Sequence, residues 1–525
     1  MLIVTFGFNL INWYFAGKFI GFDVPQPHFL GVLGITPMSQ IDDFFRHRLG
    51  HLIDLRHLLA VLASRMPWQE IEASLAHKFS RQVREGKQTE DVGLFGPEIR
   101  VVGGGVSNAD RPRLPISLMV SLLYLKLAFN ESDEGAVERW AETPTWQYFS
   151  GMDYFERRRP CDSTLISKYR RLIGEDGVKE LLAHTIAAGL SMKLVSEKQM
   201  QTVVVDTTVQ EKAIVHPTDS PLMEVAWANL VDICKADGLK LKQAFAKEGQ
   251  QLSRRAGRYA HAKQFKRMRK AIKLQRTIVN KLVRTMERQL SHMAQNAKEQ
   301  INAAMAKAAR IVAQSKDHKA KNKRCRGHAE EAECISKGKT RKPYQFGVKV
   351  GIVTTLKGNL IIGARTCPNN PYDGHTLAEQ LEQVSTLTNT TIKDVYVDLG
   401  YRGRGVEKEN SSVSIKHRGK FKSLTGPEQR LLKRRQSVEP VVGHLKSDHR
   451  MQKRHLKGTE GDALHAVLCA TGFNIRWLLG MIRKKGIRLD FALIKLLGLR
   501  GLLAKNLPSN HIELFRRGPL TALAM

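Results

Sequence analysis

At 525 residues the chain can bury a large core and should divide into roughly two or three domains. Eighty-four Lys and Arg stand against fifty Asp and Glu, for a net charge of +34 and a pI near 10. That excess asks for a polyanion, with DNA, RNA and an acidic membrane surface as candidates. The six cysteines (161, 234, 325, 334, 367 and 469) follow no pairing pattern, which argues against a disulfide-stapled secreted scaffold and for a reducing cytosol.

Residues 1–37 open with an apolar run that lacks a charged start and is interrupted by Asn9, Asn12 and Lys18. This is a poor signal peptide and a poor membrane span. Translation is expected to start properly at Met38, with 1–37 as an extension outside the fold. From Gln40 to about Arg81, Phe44, Leu49, Leu52, Ile53, Leu58, Leu59, Leu62 and Ile71 suit short amphipathic helices. A Gly103-Gly104-Gly105 gap leads to an apolar helix around Leu118–Ala128. Asp162 reads as the N-cap of a helix carrying Lys168, Arg170 and Arg171. A basic helix closing a set of short helices can enter a DNA groove; equally, its charges can be merely solvated.

Thr202-Val203-Val204-Val205-Asp206 is a β-branched run that ends in an acid. The β pattern then lapses until Tyr344. Within 241–340 there are 26 Lys and Arg against 7 acids, net +19. Arg254, Arg255, Arg258, Lys263, Lys266, Arg267, Arg269 and Lys270 crowd around Tyr259 and His261, while Ile278, Leu282, Met286, Leu290 and Met293 recur at helical spacing. A charge run is usually a solvated face and an apolar stripe a packing seam. For the segment as a whole, phosphate binding is the better account, because so much unpaired charge destabilises a compact protein without a polyanion. Cys325-x2-His328, with His318 and Cys334 nearby, lacks the second tight pair that zinc requires.

Gln345–Thr355 and Asn359–Ala364 read as strands joined at Lys357-Gly358-Asn359, and with the Asp206 strand suggest an antiparallel trio. A capped helix through Leu387 leads to Val395-Tyr396-Val397-Asp398, a second strand ending in an acid. Ser412–Ile415 is strand-like, and Gly426-Pro427-Glu428 starts a helix containing Arg434-Arg435-Gln436-Ser437-Val438-Glu439. On an ideal helix Arg435, Glu439, Lys446 and Arg450 share one side. The plain alternative is an Arg435–Glu439 ion pair worth roughly 0.3–0.5 kcal/mol. Pro440 either kinks that helix or begins a new one. Gly461–Ile482 is a long apolar helix suited to packing on the sheet, and no chemistry is legible beyond about Gly486.

Two strands that each deliver an aspartate and a helix that brings a glutamate can build an oxygen cage for Mg²⁺. Two such ions, roughly 3.5–4 Å apart, stabilise both oxygens of an in-line phosphoryl displacement. The order strand-Asp206, strand-Asp398, helix-Glu439, with Asp398-Leu399-Gly400-Tyr401-Arg402-Gly403 and Arg435-x3-Glu439-x6-Lys446, resembles the DDE transposases of bacterial insertion sequences from about residue 40 to about 484. A broader pattern in such enzymes has Tyr three residues before the Arg; Leu432 stands there instead, which leaves the carboxylates untouched.

The resemblance implies an α/β, ribonuclease-H-like mixed sheet flanked by helices. An N-terminal helical DNA-binding domain would span 38–195 and the catalytic domain 196–484. A basic helical insertion at 222–342 would separate its first and second strands, and 485–525 would form a tail. It implies Asp206, Asp398 and Glu439 as catalytic metal ligands for two Mg²⁺ ions, with Mn²⁺ able to substitute. Arg435, Lys446, Arg402, Arg254, Arg255, Arg258, Lys266, Arg267, Arg269, Lys168, Arg170 and Arg171 would contact DNA. The partners would be double-stranded element ends with terminal inverted repeats and target DNA, with the protein a homo-oligomer on the nucleoid in the bacterial cytoplasm and no membrane involved. Two rivals stay open at this point: a degenerate copy that binds DNA without chemistry, and a nuclease that cuts without joining.

Overall fold

The computed structural model describes residues 47–79, 87–93, 96–102, 114–214, 218–290, 295–316, 329, 331–336, 343–403 and 412–496. The expectations for 1–37 and Met38, for the Gly103–Gly105 gap, for Cys325-x2-His328 and for the tail beyond 496 lie outside the described residues. The short helices expected at the start are present as α1 (Leu49–Leu52), α2 (Leu58–Ala63) and α3 (Trp68–Ala76). An antiparallel hairpin, β1 (Lys87–Gly93) and β2 (Gly96–Val102), follows; Thr89-Glu90-Asp91 carries no strand signal.

α4 (Ile116–Ala128) is apolar nearly all round and correspondingly buried from Leu118 to Ala128. After α5 (Asp133–Glu142) and α6 (Pro144–Phe149), the long helix α7 (Ser163–Ser191) starts on Asp162, whose carboxylate accepts the Thr164 N–H at 2.9 Å. It bends at Gly174, where φ is +65°, a conformation that glycine adopts without a steric penalty. One turn of helix, α8 (Glu197–Met200), then feeds the sheet.

The run Thr202–Asp206 lies in β3 (Thr202–Glu211), the strand at the centre of a mixed sheet. On one side β3 pairs antiparallel with β5 (Tyr344–Thr355), whose far edge takes β4 (Glu333–Ser336) and β6 (Ile361–Cys367), both antiparallel. On the other side β3 pairs parallel with β7 (Asp394–Tyr396), and β7 parallel with β8 (Ser414–Lys416). The antiparallel trio is therefore β3, β5 and β6, with α13 (Leu377–Thr388) as the crossover that a parallel return to β7 needs. This mixed α/β architecture is compatible with a ribonuclease-H-like fold.

Between β3 and β5 the chain makes α9 (Asp219–Ala236), α10 (Ala246–His261), α11 (Phe265–Glu287) and α12 (Gln295–Lys316). These helices bury a core of their own, in which Leu230, Leu252, Ile278, Leu282, Met286 and Ile311 meet. The stripe read from Ile278, Leu282 and Met286 is thus a packing seam. β4, inside the span expected as insertion, joins the main sheet.

After β8 come α14 (Gly426–Arg434), a 3₁₀ turn at Arg435–Ser437, α15 (Val438–Ser447) and α16 (Gly458–Leu496). α16 is long and apolar enough to cross a membrane, but it is mostly buried inside the protein. Leu464, Val467, Leu468 and Leu478 join one hydrophobic core with Leu122 and Leu125 of α4, Leu181 of α7 and Val203 of β3. Residues on both sides of 195 therefore pack into one hydrophobic core.

Candidate active site

Side chains alternate along a strand, so β3 presents two faces. Val203 and Val205 enter the main core, as do Val395 and Val397 beside them. Val204 and Tyr396 point the other way, into a small cluster with Leu356, Leu432 and Val438. Two residues further on, Asp206 and Asp398 leave on the face of Val204 and Tyr396. The pairing sets Val204 opposite Tyr396; carried past that position, the same register sets Asp206 across from Asp398. The shared motif of valines followed by an acid thus brings two carboxylates to one face of two adjacent parallel strands, Asp206 in the middle of β3 and Asp398 just past the end of β7.

The helical stretch is clamped over that face. A Thr425–Glu428 capping box starts α14. Lys416 of β8 donates to Asp394 of β7 and to Glu428, each at 2.6 Å. Glu428 is held at about 2, chiefly by Lys416. At the other end, Arg434 Nε donates to the Leu356 carbonyl at 3.1 Å and Ser437 Oγ to Asn359 Oδ1 at 2.8 Å. Leu432, in the place where the family pattern has Tyr, is one of the buried side chains of this clamp.

Arg435 lies between the anchors Leu432 and Val438, and its guanidinium reaches both aspartates, 4.0 Å from Asp206 Oδ2 and 3.6 Å from Asp398 Oδ1. The Arg435–Glu439 pair that a plain surface helix would make is therefore not the arrangement adopted. Its geometric premise fails as well: the helix is interrupted at 435–437, and Pro440 falls in the first turn of α15. There its missing N–H has no intrahelical role. Glu439 sits exposed in that first turn. Among the described residues no three His, Cys, Asp or Glu side chains converge at metal-ligand range. Asp206 and Asp398 come together at Arg435; Glu439 stands close in the chain, outside such a cluster.

The other predicted residues separate by environment. Arg402 follows the Leu399–Tyr401 turn, exposed beside Asp398. Lys446 is half-buried, two turns beyond Glu439 on α15. Arg450 leaves that face, because α15 ends at Ser447 and Arg450 turns at φ +64° to donate to the Asn130 carbonyl at 3.0 Å. Arg254, Arg255, Arg258, Lys266, Arg267 and Arg269 are all exposed on α10 and α11, and so are Lys168 and Arg171 on α7. Arg170 is a correction. It is buried, 3.3 Å from Asp133 Oδ2 and 3.0 Å from Ser167 Oγ, so its charge is satisfied inside the protein and is withdrawn from DNA.

Sequence reasoning missed Asp373. The stretch Asn369–Leu377 reads only as a helix cap, yet Asp373 Oδ1 accepts from Thr207 Oγ1 at 3.1 Å and from Lys349 Nζ at 2.9 Å. The buried Tyr401 hydroxyl is pushed well above its ordinary range by burial, then by Asp373 and Asp206, which places both acids near it. The one signal in the sequence is a buried-strand lysine, Lys349, which demands an acid from somewhere.

Two family models match the chain: "Transposase domain (DUF772)" over residues 99–172 and "Transposase DDE domain" over 311–475. The second spans Asp398, Glu439, Arg435 and Lys446; Asp206 and α9–α11 lie outside both. "Uncharacterized protein ORF8 in nfe locus" from Rhizobium meliloti is 37% identical over 229 residues, 44% of this chain and 98% of that protein. No solved structure matches.

Proposed function

This chain belongs to the DDE transposases of insertion-sequence type, and we propose that it binds the ends of such an element, cuts the DNA there and joins the freed ends to a target. The observation that carries the reading is the pair Asp206, in the middle of β3, and Asp398, just past the end of the neighbouring parallel strand β7, which share one cation, the Arg435 guanidinium. That guanidinium stands where positive charge between two carboxylates is stabilised, and the donors are all oxygen, which suits Mg²⁺ or Mn²⁺. Asp206, Asp398 and Glu439 would hold the metal, which when bound supplies charge stabilisation at the attacking and leaving oxygens of phosphoryl transfer.

The chain's own side chains then have separable tasks. Arg435, only 14% exposed, would hold the two aspartates close by pairing with both. Arg402 and Lys446 would take phosphates flanking the cut. The exposed bases of α10 and α11 would grip the duplex backbone, and Lys168 and Arg171 of the 38–195 region would add contacts at the element ends. A homo-oligomer acting on nucleoid DNA in the bacterial cytoplasm is part of the same proposal.

Labelled element ends incubated with purified protein, a target plasmid and Mg²⁺ or Mn²⁺ test it. Joined products support the proposal. Cut but unjoined ends would make the protein a nuclease, and retardation without cutting would make it a DNA-binding protein.

A further inference from the structure

Building on that reading of the site, we infer that Asp373 is a positioning residue that sets the spacing of Asp206 and Asp398 from beneath. Thr207 follows Asp206 in β3; its N–H donates to Asp206 Oδ1 at 2.8 Å and its hydroxyl to Asp373 Oδ1 at 3.1 Å. One residue therefore links the two carboxylates, with Asp206 on one face of the strand and Asp373 on the other. The second oxygen of Asp373 faces Gly400, two residues after Asp398; a Cβ at Gly400 would come within 3.0 Å of it. Asp373 thus abuts both chain segments that deliver the aspartates.

It is itself immobilised. Lys349, a buried lysine on β5, donates to Asp373 Oδ1 at 2.9 Å and to the Pro371 carbonyl at 2.6 Å. The Asp373 backbone carbonyl also accepts the Thr376 hydroxyl at 2.7 Å. A carboxylate fixed from two sides and bonded to the neighbour of a ligand is how outer groups orient the ligands of a metal site, where their loss typically costs about 10- to 100-fold in affinity or activity. Asp373 does not touch the reacting atoms; it acts through Thr207 and Gly400.

The test compares Mn²⁺ affinity, read by electron paramagnetic resonance on the full chain, for the wild type, Asp206→Asn, Asp373→Asn and Thr207→Val. Asp373→Asn should weaken Mn²⁺ about tenfold and Thr207→Val by less, with DNA retardation unchanged. Asp373→Asn should also melt lower, because it leaves buried Lys349 without its charge partner, whereas Thr207→Val should melt as the wild type does. Cleavage by Asp373→Asn should need correspondingly more metal, and Mn²⁺ should restore it better than Mg²⁺. If Asp206→Asn weakens Mn²⁺ while Asp373→Asn and Thr207→Val bind as the wild type does, the inference is overturned and the metal-site reading stands. If Asp206→Asn leaves Mn²⁺ affinity unchanged, the metal-site reading fails and takes this one with it. Should Asp373→Asn fail to fold, Thr207→Val alone decides, since it removes one hydrogen bond and keeps the side-chain shape.

Discussion

The sheet body and the helical insertion treat charge in opposite ways. In the body, cations are matched inside the protein. Lys212 and Arg454 share Glu331 and Asp462, Lys126 and Arg170 share Asp133, Lys416 bridges Asp394 and Glu428, and Lys349 holds Asp373. In the insertion, Arg254, Arg255, Arg258, Lys266 and Arg269 stand exposed with no carboxylate partner among the described residues. Buried charge must be paired or it costs several kcal/mol, whereas exposed unpaired charge of one sign is tolerable but repels itself and favours a polyanion. On the proposed function, that difference would place the chemistry in the body and the grip in the insertion.

The strongest way to break that division is to remove a charge from the candidate site. Asp206→Asn, Asp398→Asn and Glu439→Gln each keep side-chain size and should each abolish cleavage, because neither the nucleophile nor the leaving oxygen is then stabilised. Retardation of element DNA should persist, since losing an acid only adds to a net charge of +34. Glu439 is the sharpest case, as it is exposed in the first turn of α15. A Glu439→Gln protein that still cuts at the original rate would leave the two aspartates and Arg435 as the whole site.

The complementary change is made in the insertion. Replacing Arg254, Arg255, Lys266, Arg267 and Arg269 by neutral residues should weaken DNA binding, with the log–log salt slope falling by about 0.9 for each phosphate no longer neutralised. Cleavage of element ends at saturating protein should survive the change. An unchanged slope would return these side chains to a solvated surface and erase the contrast between the regions.

What is legible in the sequence follows the same line. Asp206 and Asp398 are legible because a run of β-branched residues followed by an acid is a local signal, and the register between β3 and β7 only has to bring them near one another; that β3 runs on past Asp206 to Glu211 is not legible. The stripe Ile278, Leu282, Met286 is legible for the same reason. Arg170 is not: its partner Asp133 lies on another helix, and nothing local distinguishes a basic residue turned inward from its exposed neighbours Lys168 and Arg171. Asp373 is hidden inside a stretch whose Asn, Pro and Gly residues account for a turn on their own. The single helical face drawn through Arg435 and Arg450 fails because the 3₁₀ turn at 435–437 and the φ +64° turn at Arg450 end the regular helix on either side of α15.

A smaller effect probes the body alone, through pH. His449 is buried with Nδ1–H donating to the Leu127 carbonyl at 2.8 Å, and His465 Nε2–H donates to the Arg450 carbonyl at 3.1 Å. Burial above all holds His449 at about 4 and His465 at about 3. In the unfolded chain both titrate near 6.5, so between that value and their folded values unfolding takes up protons. Above the unfolded value neither ring opposes folding; as pH falls below it stability is lost, by about 2 kcal/mol for His449 at pH 5. His449→Asn and His465→Gln retain an N–H donor without titrating, and should flatten the acid limb of a denaturation-midpoint profile. An acid limb identical to that of the wild type would assign the sensitivity to other groups.

The smallest expected effect concerns Lys446, which the proposed function gives a part in both chemistry and grip. Lys446 is part of the body, on α15 seven residues after Glu439. Seven residues turn a helix to within about 20° of the starting direction and advance it about 10 Å. Lys446 therefore lies on the side of Glu439, too far along to act on the same oxygens but near enough to hold a phosphate beside the cut. Lys446→Ala should lower end binding and cleavage together, each about fivefold, the scale of one phosphate contact. Lys446→Arg should restore most of both, because charge rather than shape is required. If cleavage collapsed while retardation held, Lys446 would belong with Asp206 and Asp398 in the chemistry. If both rates and affinities stayed level, grip would reside in the insertion and the remaining exposed bases, and body and insertion would divide the work between them without any shared residue.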